Sequence, residues 1–409
     1  MQNIIIDKPY HFVPPRTGTF WPRLMGFLLP TYLNKSHGIE SHEIVGLEHL
    51  RASVAAGHGI LLTPNHCRPC DPMVIGLLSR SIGCPLNIIA SWHLFMQNRL
   101  LSWVLPRIGA FSIYREGMDR EALRCAIQVL TEAKRPLVLF PEGVVTRTND
   151  RLNHLMEGTA FIARSAAKQR AALSPAGKVV VHPVAIRYRF SGDIAPSLAP
   201  VLKDIEQRLT WRPMVDGPLL PRIAKVGRAL LALKEMEYFG EQRPGSLHER
   251  LDGLIDRLLV PLEQEWLRGK REGETTARIK VIRTAILPDL VAGEISEAER
   301  GRRWQQLADT YLAQQLAFYP PEYFGEQTTA EQMLETVERY EEDLTDKIHV
   351  HRPLHAAVQV GEGIEVNPMR ERGAEVDTLM ARIRTQLETM LAHVGATRPF
   401  PAERTKRIS

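Results

Sequence analysis

Short, continuous apolar runs alternate with helical patterns over the first half of the chain. The runs are rich in Val, Ile and Leu, a composition typical of the buried strands of a covered sheet. They occupy residues 59–63, 86–91, 135–140 and 178–190. Residues 120–134 lie between two of them and carry apolar side chains at the three- and four-residue spacing of a helix. This alternation predicts an α/β fold with a mostly parallel central sheet flanked by helices.

The pattern changes after a proline-punctuated segment at 191–200, which we interpret as a linker. Residues 200–349 are almost wholly helical in pattern. Residues 246–249 have the spacing of a capping box, and residues 328–331 repeat it. The final predicted elements are a strand with a turn and a helix, at 354–366 and 375–394.

An apolar and aromatic segment lies near the N-terminus at 19–33, with basic residues on both sides. It is too short to span a bilayer, and Pro22 and Pro30 interrupt it. Trp, Phe and Leu beside basic residues suit the lipid–water interface, and the alternative is a helix packed on the body of the protein. We find no pattern of a signal peptide before this segment.

The composition is typical of a folded protein whose surface carries both positive and negative charges. Apolar residues make up 44% of the 409 residues, which is enough for a buried core. Lys and Arg number 52 against 47 Asp and Glu, so the net charge is only +5 and we expect no nucleic-acid partner. Basic patches facing anionic lipid or phosphate stay compatible with this balance. The 4 cysteines are too few for a disulfide scaffold and favour a cytoplasmic setting.

The stretch TPNHCRPCD at residues 63–71 offers two chemistries. His66 follows a predicted strand, at the end where α/β proteins place active sites, and Asp71 is near enough in sequence to orient its imidazole as a general base. Cys67 and Cys70 offer instead a redox pair or half of a zinc site. The structural alternative is that the two cysteines are small buried thiols.

Two further stretches carry candidate residues at predicted strand ends or within strands. GAFSIYREG at 109–117 places Arg115 before a helix, where a guanidinium and free backbone amides together bind phosphate, although a plain surface arginine is equally compatible. VVHPVAIRY at 180–188 has Pro183 inside a strand, which predicts a bulge or a ligand-facing kink. We interpret His182 beside it as structural.

The stretch LVLFPEGVVTRTND at 137–150 sets a charge directly after an apolar run. Burial of Glu142 without a partner is costly, and we expect its partner to be a substrate hydroxyl or a cation such as Arg147. Gly143 permits a tight turn or the close approach of a substrate.

Taken together, these stretches resemble the four ordered blocks of the glycerolipid acyltransferases, the lysophosphatidate and glycerol-3-phosphate acyltransferases of phospholipid synthesis. Each block alone is a weak signal, and four in the right order are a specific one. The resemblance covers about residues 40–190. The matching residues are His66 and Asp71 in an Asn-His-x4-Asp arrangement, 109–115, 140–143 and 182–186.

The resemblance implies a catalytic dyad with His66 as the general base and Asp71 as its orienting carboxylate. The base is expected to deprotonate an acceptor hydroxyl, which attacks an acyl thioester on coenzyme A or acyl carrier protein. Acceptor-binding roles are implied for Glu142, Gly143 and Arg115, with Arg115 on the phosphate. The resemblance implies no metal, no bound cofactor and no covalent acyl-enzyme.

Three positions depart from the family pattern. Arg68 stands where a small polar residue is usual, so we expect it to add a phosphate contact or to indicate a different acceptor. Val144 and Val145 are inserted before Arg147, and we expect this candidate phosphate ligand to point differently as a result. His182 is also unusual at its position.

Domain boundaries follow from the same resemblance. The family's domain ends in a strand and turn similar to VQVGEGIEV at 358–366 and then a helix, so the preceding helices become an insertion. We therefore predict a membrane-interface segment, an α/β acyltransferase domain in two parts, a helical insertion and a loose tail. These occupy 1–40, 41–199 with 351–396, 200–350, and 397–409.

The predicted function is transfer of a fatty acyl group to a hydroxyl of a phosphate-bearing glycerolipid at the cytoplasmic face of a membrane. The apolar segments 19–33 and 94–105 are expected to dock the protein there. Expected partners are a lysophospholipid or glycerol-phosphate acceptor, the membrane surface, and acyl carrier protein as one of two donor carriers. Two alternatives stay open: a remodelling acyltransferase for another lysolipid or an amino-lipid, and a non-catalytic lipid-binding or scaffold protein of the same fold.

Overall fold

The strands of the protein form where the sequence carries its continuous apolar runs. A computed structural model describes residues 7–210, 217–319, 328–347, 349–370 and 377–393. The eight strands in these ranges are β1 Ile39–Val45, β2 Gly59–Pro64, β3 Asn87–Ser91, β4 Ala110–Ile113, β5 Leu137–Val138, β6 Val179–Phe190, β7 Leu354–Val360 and β8 Ile364–Glu365. They build one sheet in the order β1-β7-β6-β2-β5-β3-β4, with β8 paired to β6.

Parallel pairing dominates this sheet, as predicted. Strand β2 runs parallel to both β5 and β6, and β3 runs parallel to β4 and β5. The two antiparallel pairs among the described strands both involve β6, which pairs with β7 and β8. The run predicted as a strand at 135–140 forms only the two-residue β5, because Pro136 and Pro141 lack the amide that a ladder needs.

Helices cover both faces of the sheet. The fourteen helices within the described ranges are α1 Phe20–His37, α2 Leu47–Ala55, α3 Asp71–Ile82, α4 Trp92–Met96, α5 Arg99–Arg107, α6 Arg120–Glu132, α7 Gly158–Ala171, α8 Ile194–Leu209, α9 Leu219–Phe239, α10 Leu247–Leu267, α11 Thr275–Ala292, α12 Glu297–Leu316, α13 Ala330–Thr345 and α14 Thr378–His393. This arrangement confirms the α/β class with a large helical portion.

Alternate residues of β6 point to two separate cores, which divide the helices between the faces. Val184 and Ile186 belong to a core shared with α1, α2, α3, α8 and α13. Val181 and Ala185 belong to a core shared with α6, α7 and α14. Because side chains alternate across a strand, a strand buried on both faces must be apolar throughout, and the sequence of β6 is almost so.

The helical region divides between the sheet and a core of its own. Helices α10, α11 and α12 bury a third apolar cluster that includes Leu254 and Ile282. Helices α8 and α13 pack instead on the sheet, and α9 contributes to both cores. After these helices the chain returns to the sheet as β7, which lies between β1 and β6.

The linker predicted at 191–200 is wrong, because α8 begins inside it. Asp193 caps this helix by accepting the amide of Ala195 at 3.1 Å. Leu198, Leu202 and Ile205 then bury one apolar face against the sheet, which outweighs the prolines in the early turns.

The first predicted capping box is confirmed, and the second is displaced by one residue. Ser246 and Glu249 exchange both hydrogen bonds at the start of α10. At α13 the pair is Thr329 with Gln332 rather than the predicted Thr328 with Glu331. Glu331 instead accepts the backbone amide of Phe190 at 2.9 Å.

Helix α1 runs through both prolines that were expected to interrupt it. Pro22 lies in the first turn, where a missing amide breaks no intrahelical bond. Within the described ranges, no helix is both long enough and apolar enough to span a bilayer. The predicted loose tail at 397–409 lies outside the described residues.

Candidate active site

His66 is held just beyond the carboxyl end of β2 by contacts from three directions. The side chain of the preceding Asn65 pairs with the backbone of Ile186 on β6, at 2.7 and 3.0 Å. The amide of His66 donates to Glu142 Oε1 at 2.7 Å, and its carbonyl accepts from the amide of Thr146 at 2.8 Å. The imidazole lies against the ring of Phe140, with ring centroids 4.2 Å apart.

The dyad expected from the Asn-His-x4-Asp stretch is present in the geometry. Nδ1 of His66 lies 2.9 Å from Oδ2 of Asp71, the first residue of α3. The same Oδ2 accepts the backbone amide of Arg68 at 2.9 Å, which closes the turn between the two residues. Asp71 is fully buried, whereas 14% of the His66 side chain is exposed.

These contacts determine which ring nitrogen carries the proton. A carboxylate only accepts hydrogen bonds, so Nδ1 of His66 donates to Asp71 and Nε2 keeps its lone pair. No described residue hydrogen-bonds Nε2. The dyad can therefore accept a proton from a group that reaches the exposed edge of the ring.

A third side chain, Tyr188 on β6, completes the dyad and was missed by sequence reasoning. Its hydroxyl donates to Oδ1 of Asp71 at 2.6 Å. Burial raises the pKa of Tyr188 well above its ordinary value, so the phenol stays a donor. The available signal was a polar aromatic in an otherwise apolar buried strand, where a hydroxyl needs a partner.

The two cysteines of the opening stretch lie beside the dyad as buried thiols. Cys67 Sγ is 3.8 Å from Oδ1 of Asp71, and Cys70 Sγ is 3.5 Å from the hydroxyl of Tyr188. Burial raises the pKa of Cys70 to about 12 and that of Cys67 well above its ordinary value. Protonated thiols are poor nucleophiles and poor metal ligands. Within the described ranges, no group of three or more His, Cys, Asp or Glu could hold a metal ion.

Glu142 is buried, but its partners differ from those expected. Oε1 accepts the amide of His66 at 2.7 Å, and Oε2 accepts the amide and the side-chain amide of Asn153 at 2.9 and 3.1 Å. Burial raises the pKa of this carboxyl, and these donors act against the rise. The expected pairing with Arg147 is wrong, because both carboxylate oxygens are already taken up in holding the backbone around His66.

Arg115 reaches the same loop from the end of β4. Its guanidinium donates to the carbonyl of Gly143. Gly143 has a positive φ of 71°, a conformation that favours glycine, and a side chain there would displace the end of Met156. Free amides at the start of α6 were expected beside Arg115, but Asp119 caps that helix by accepting the amide of Ala122 at 2.9 Å.

Arg68 and Arg147, the other two candidate phosphate ligands, are both engaged by α13. Arg68 lies 3.1 Å from Glu338, and its guanidinium also lies over the ring of Tyr188. Arg147 lies 2.6 Å from Glu342. Arg147 adopts a positive φ of 57°.

His182 is structural, as interpreted from the sequence. Its two nitrogens bond to the Ser53 hydroxyl and the Gly361 carbonyl, both at 2.9 Å. Pro183 lies within the continuous strand β6 and forms no ligand-facing kink. It lies where β6 changes partner from β8 to β7, and its carbonyl accepts from Gly361 at 2.8 Å.

The predicted site residues thus share one edge of the sheet. His66, Asp71, Glu142, Gly143 and Arg115 form one connected set of hydrogen bonds with the loop after β5. Arg68 and Arg147 lie at its border with α13. The contribution of α13 could not be read from the sequence, because nothing local indicates where a helix nearly 200 residues away along the chain will pack.

Comparisons with known proteins identify the domain that carries this site. Residues 41–187 match the family model Acyltransferase, a range that contains the dyad, Arg115 and Glu142. No curated protein matched the chain. The match confirms the family assignment predicted from the four blocks. Residues 41–187 of this chain therefore form an acyltransferase domain.

Proposed function

We propose that this protein transfers a fatty acyl group from an acyl thioester to a hydroxyl of a phosphate-bearing glycerolipid of the lysophosphatidate type. The observation that carries the proposal is the dyad: Asp71 holds Nδ1 of His66 at 2.9 Å and leaves Nε2 available at the exposed edge of the ring. An acceptor hydroxyl is a poor nucleophile until a base removes its proton.

The reaction proceeds through one base and no covalent enzyme intermediate. Nε2 of His66 takes the proton of the acceptor hydroxyl as its oxygen attacks the thioester carbonyl. The tetrahedral intermediate then collapses, the carbon–sulfur bond breaks, and the thiolate leaving group receives the proton from the imidazolium. The products are a new ester and the free thiol of coenzyme A or acyl carrier protein. General base catalysis of this kind contributes about 10²–10⁴ in rate.

Arg115 is the proposed contact for the acceptor phosphate. Its one described hydrogen bond goes to the neutral carbonyl of Gly143, which leaves further N–H donors of the guanidinium for an anion. Glu142 is proposed to act by positioning rather than by touching the acceptor, because its oxygens hold the backbone of His66 and Asn153.

An exposed apolar face supports docking at a membrane surface. We define the apolar face as Phe20, Leu24 and Phe27 on α1 with Leu100 and Trp103 on α5, all of them exposed. Trp21 and Trp103 join the two helices, with ring centroids 4.8 Å apart. Arg16, Arg23 and Arg99 lie exposed at the ends or sides of these helices. Aromatic and aliphatic side chains beside basic residues favour the interface of an anionic leaflet.

An acceptor panel tests the proposal. The purified protein is incubated with radiolabelled acyl coenzyme A or acyl carrier protein and with glycerol 3-phosphate, lysophosphatidate, lysophosphatidylglycerol or monoacylglycerol. We expect label in a phosphate-bearing product and little in the product from monoacylglycerol. Failure to acylate any phosphate-bearing acceptor with either donor contradicts the proposal.

A further inference from the structure

Helix α13 lies along the loop that supports His66, although it is outside the range that matches the acyltransferase family. Arg339 donates to the carbonyl of Thr146 at 2.5 Å, and Gln332 donates to Asp150 at 2.9 Å. Thr146 in turn donates its amide to the carbonyl of His66 at 2.8 Å. The face of α13 that is turned to the sheet therefore belongs to the surroundings of the site.

This face carries carboxylates that pair with arginines of the site loops. Glu338 lies 3.1 Å from Arg68, and Glu342 lies 2.6 Å from Arg147. Both arginine side chains are about nine-tenths buried, with 11% and 10% exposed. In partly buried surroundings such pairs are screened less than pairs in bulk water.

The pairing changes what charge the site can accept. An arginine held by a carboxylate has its charge largely offset by that carboxylate, so it attracts a phosphate less strongly than an arginine bonded to a neutral carbonyl does. The carboxylate also repels an approaching anion. A phosphomonoester carries about 1.5 to 2 negative charges near neutral pH, whereas a phosphodiester carries one, so the repulsion falls more heavily on the monoester.

We propose that Glu342 is a specificity-determining residue, which disfavours the second negative charge of phosphomonoester acceptors relative to singly charged phosphodiester lysolipids by holding Arg147 in an ion pair. This inference rests on the proposed function. It assigns the phosphate contact to Arg115 alone in the wild-type protein. Release of Arg147 supplies a second guanidinium, and with it a preference for the doubly charged headgroup.

Glu342 is the residue to vary, rather than Glu338. The Glu338 side chain is only 3% exposed, and its partner Arg68 is also largely buried. Removal of the Glu338 carboxylate therefore leaves the charge of Arg68 buried and unpaired. The Glu342 side chain is 17% exposed, and Glu342→Gln keeps its shape and one acceptor oxygen. Glu341→Gln is the matched control, because this neighbouring carboxylate on α13 bonds to His349 instead of a site arginine.

The experiment compares lysophosphatidate with lysophosphatidylglycerol of the same acyl chain. We expect Glu342→Gln to raise the ratio of kcat/KM for the monoester over the diester about tenfold, which corresponds to about 1.4 kcal/mol. The double variant Glu342→Gln with Arg147→Gln returns the ratio to the wild-type value. Glu341→Gln leaves it within about twofold. Thermal melting followed by circular dichroism verifies that each variant is folded.

An unchanged ratio in Glu342→Gln, or an equal change in Glu341→Gln, overturns the inference. Calorimetric binding of the two lysolipids to His66→Ala, with and without Glu342→Gln, measures the same selectivity without turnover. Tightening of lysophosphatidate relative to lysophosphatidylglycerol is expected there, and equal tightening of both contradicts the inference. If the wild-type protein acylates neither lipid, the proposed function fails, while the binding ratio still decides the role of Glu342.

Discussion

At the scale of single residues, the site is organised around one carboxylate. Asp71 accepts four donors: the His66 imidazole and the Arg68 amide on one oxygen, and the Tyr188 hydroxyl with the more distant Cys67 thiol on the other. A fully buried carboxylate needs such a set of donors to replace the hydrogen bonds that it loses to water. Tyr188 supplies the shortest of these contacts and is therefore expected to influence the base without touching the acceptor.

Removal of the Tyr188 hydroxyl tests this positioning role. In Tyr188→Phe the Asp71 carboxylate loses its shortest hydrogen bond and holds the His66 ring less firmly in place. We expect kcat to fall about 10-fold while KM changes by less than about twofold, because Tyr188 does not touch the acceptor.

Tyr340→Phe is the control for Tyr188→Phe, since Tyr340 is also a buried tyrosine and lies on α13. It should leave kcat within about twofold of wild type. An unchanged kcat in Tyr188→Phe, with only a lower melting temperature, assigns Tyr188 a purely structural role.

The residue scale also shows where sequence reasoning succeeds and where it stops. The spacing of His66 and Asp71 was sufficient to predict their contact, because one turn at the start of α3 brings the two side chains together. Glu142 was correctly expected to be buried with partners, yet those partners are a backbone amide and Asn153 rather than Arg147. Contacts within a few residues follow from the sequence, whereas the choice among distant partners depends on packing.

At the scale of elements, α13 couples the helical region to the site loop through its buried carboxylates. Glu335 accepts the amide of Asn149 at 3.2 Å, and Asn149 in turn pairs with the backbone of Tyr188. The strands were largely predicted, because a continuous apolar run indicates a buried strand whichever strand pairs with it. The docking of α13 could not be predicted, because the partners of its polar side chains lie in distant segments of the chain, among them the loop after β5.

Titration of Glu335 gives a stability prediction for this element. Burial raises the pKa of Glu335 to about 8, above its ordinary value of 4.5. Because the folded-state pKa is raised, the contribution of this group to stability is fully present below about pH 4.5 and is lost as the pH rises through about 8. Glu335→Gln cannot ionise, so its free energy of unfolding relative to wild type should increase between about pH 5 and about pH 8.

Urea unfolding at the two pH values measures the Glu335 effect. Glu40→Gln, a change at an exposed carboxylate of β1, provides the comparison and should show a much smaller pH-dependent difference. A difference between wild type and Glu335→Gln that stays constant with pH refutes the coupling between burial of Glu335 and stability.

At the scale of the whole molecule, the proposed function needs both the site edge of the sheet and the apolar face on α1 and α5, the second as the surface that would recruit a lipid acceptor. The N-terminal apolar segment was predicted to lie at a membrane interface or against the body of the protein, and α1 is partly packed on the body and partly exposed. Leu33 is buried in the core, whereas Phe20 and Phe27 are 67% and 72% exposed. Sequence periodicity could not show which side chains of α1 are buried and which are exposed, because both faces of the helix are apolar.

Polar substitution of the apolar face tests the docking role. Phe27→Gln with Leu100→Gln should weaken binding to vesicles of anionic phospholipid by at least about tenfold, because each buried apolar side chain contributes roughly 1.5–3 kcal/mol. Turnover of a water-soluble acceptor should be unchanged. Cosedimentation with vesicles measures the bound fraction.

Leu233→Gln with Met236→Gln is the matched control for the vesicle experiment. These two side chains on α9 are 56% and 53% exposed but lie outside the apolar face. Equal loss of vesicle binding in the two double variants indicates a general effect of exposed apolar surface and contradicts a dedicated docking face.

The central claim is that the His66 imidazole acts as the base, and paired histidine variants at opposite ends of β2 test it most directly. His66 follows this strand and His58 precedes it, so the two substitutions perturb the same element at its catalytic and remote ends. In the acyl-transfer assay with lysophosphatidate, we predict that His66→Ala lowers kcat/KM by about 10²-fold or more, while His58→Ala stays within about twofold of wild type. A folded His66→Ala protein that keeps more than about a tenth of the activity contradicts the account.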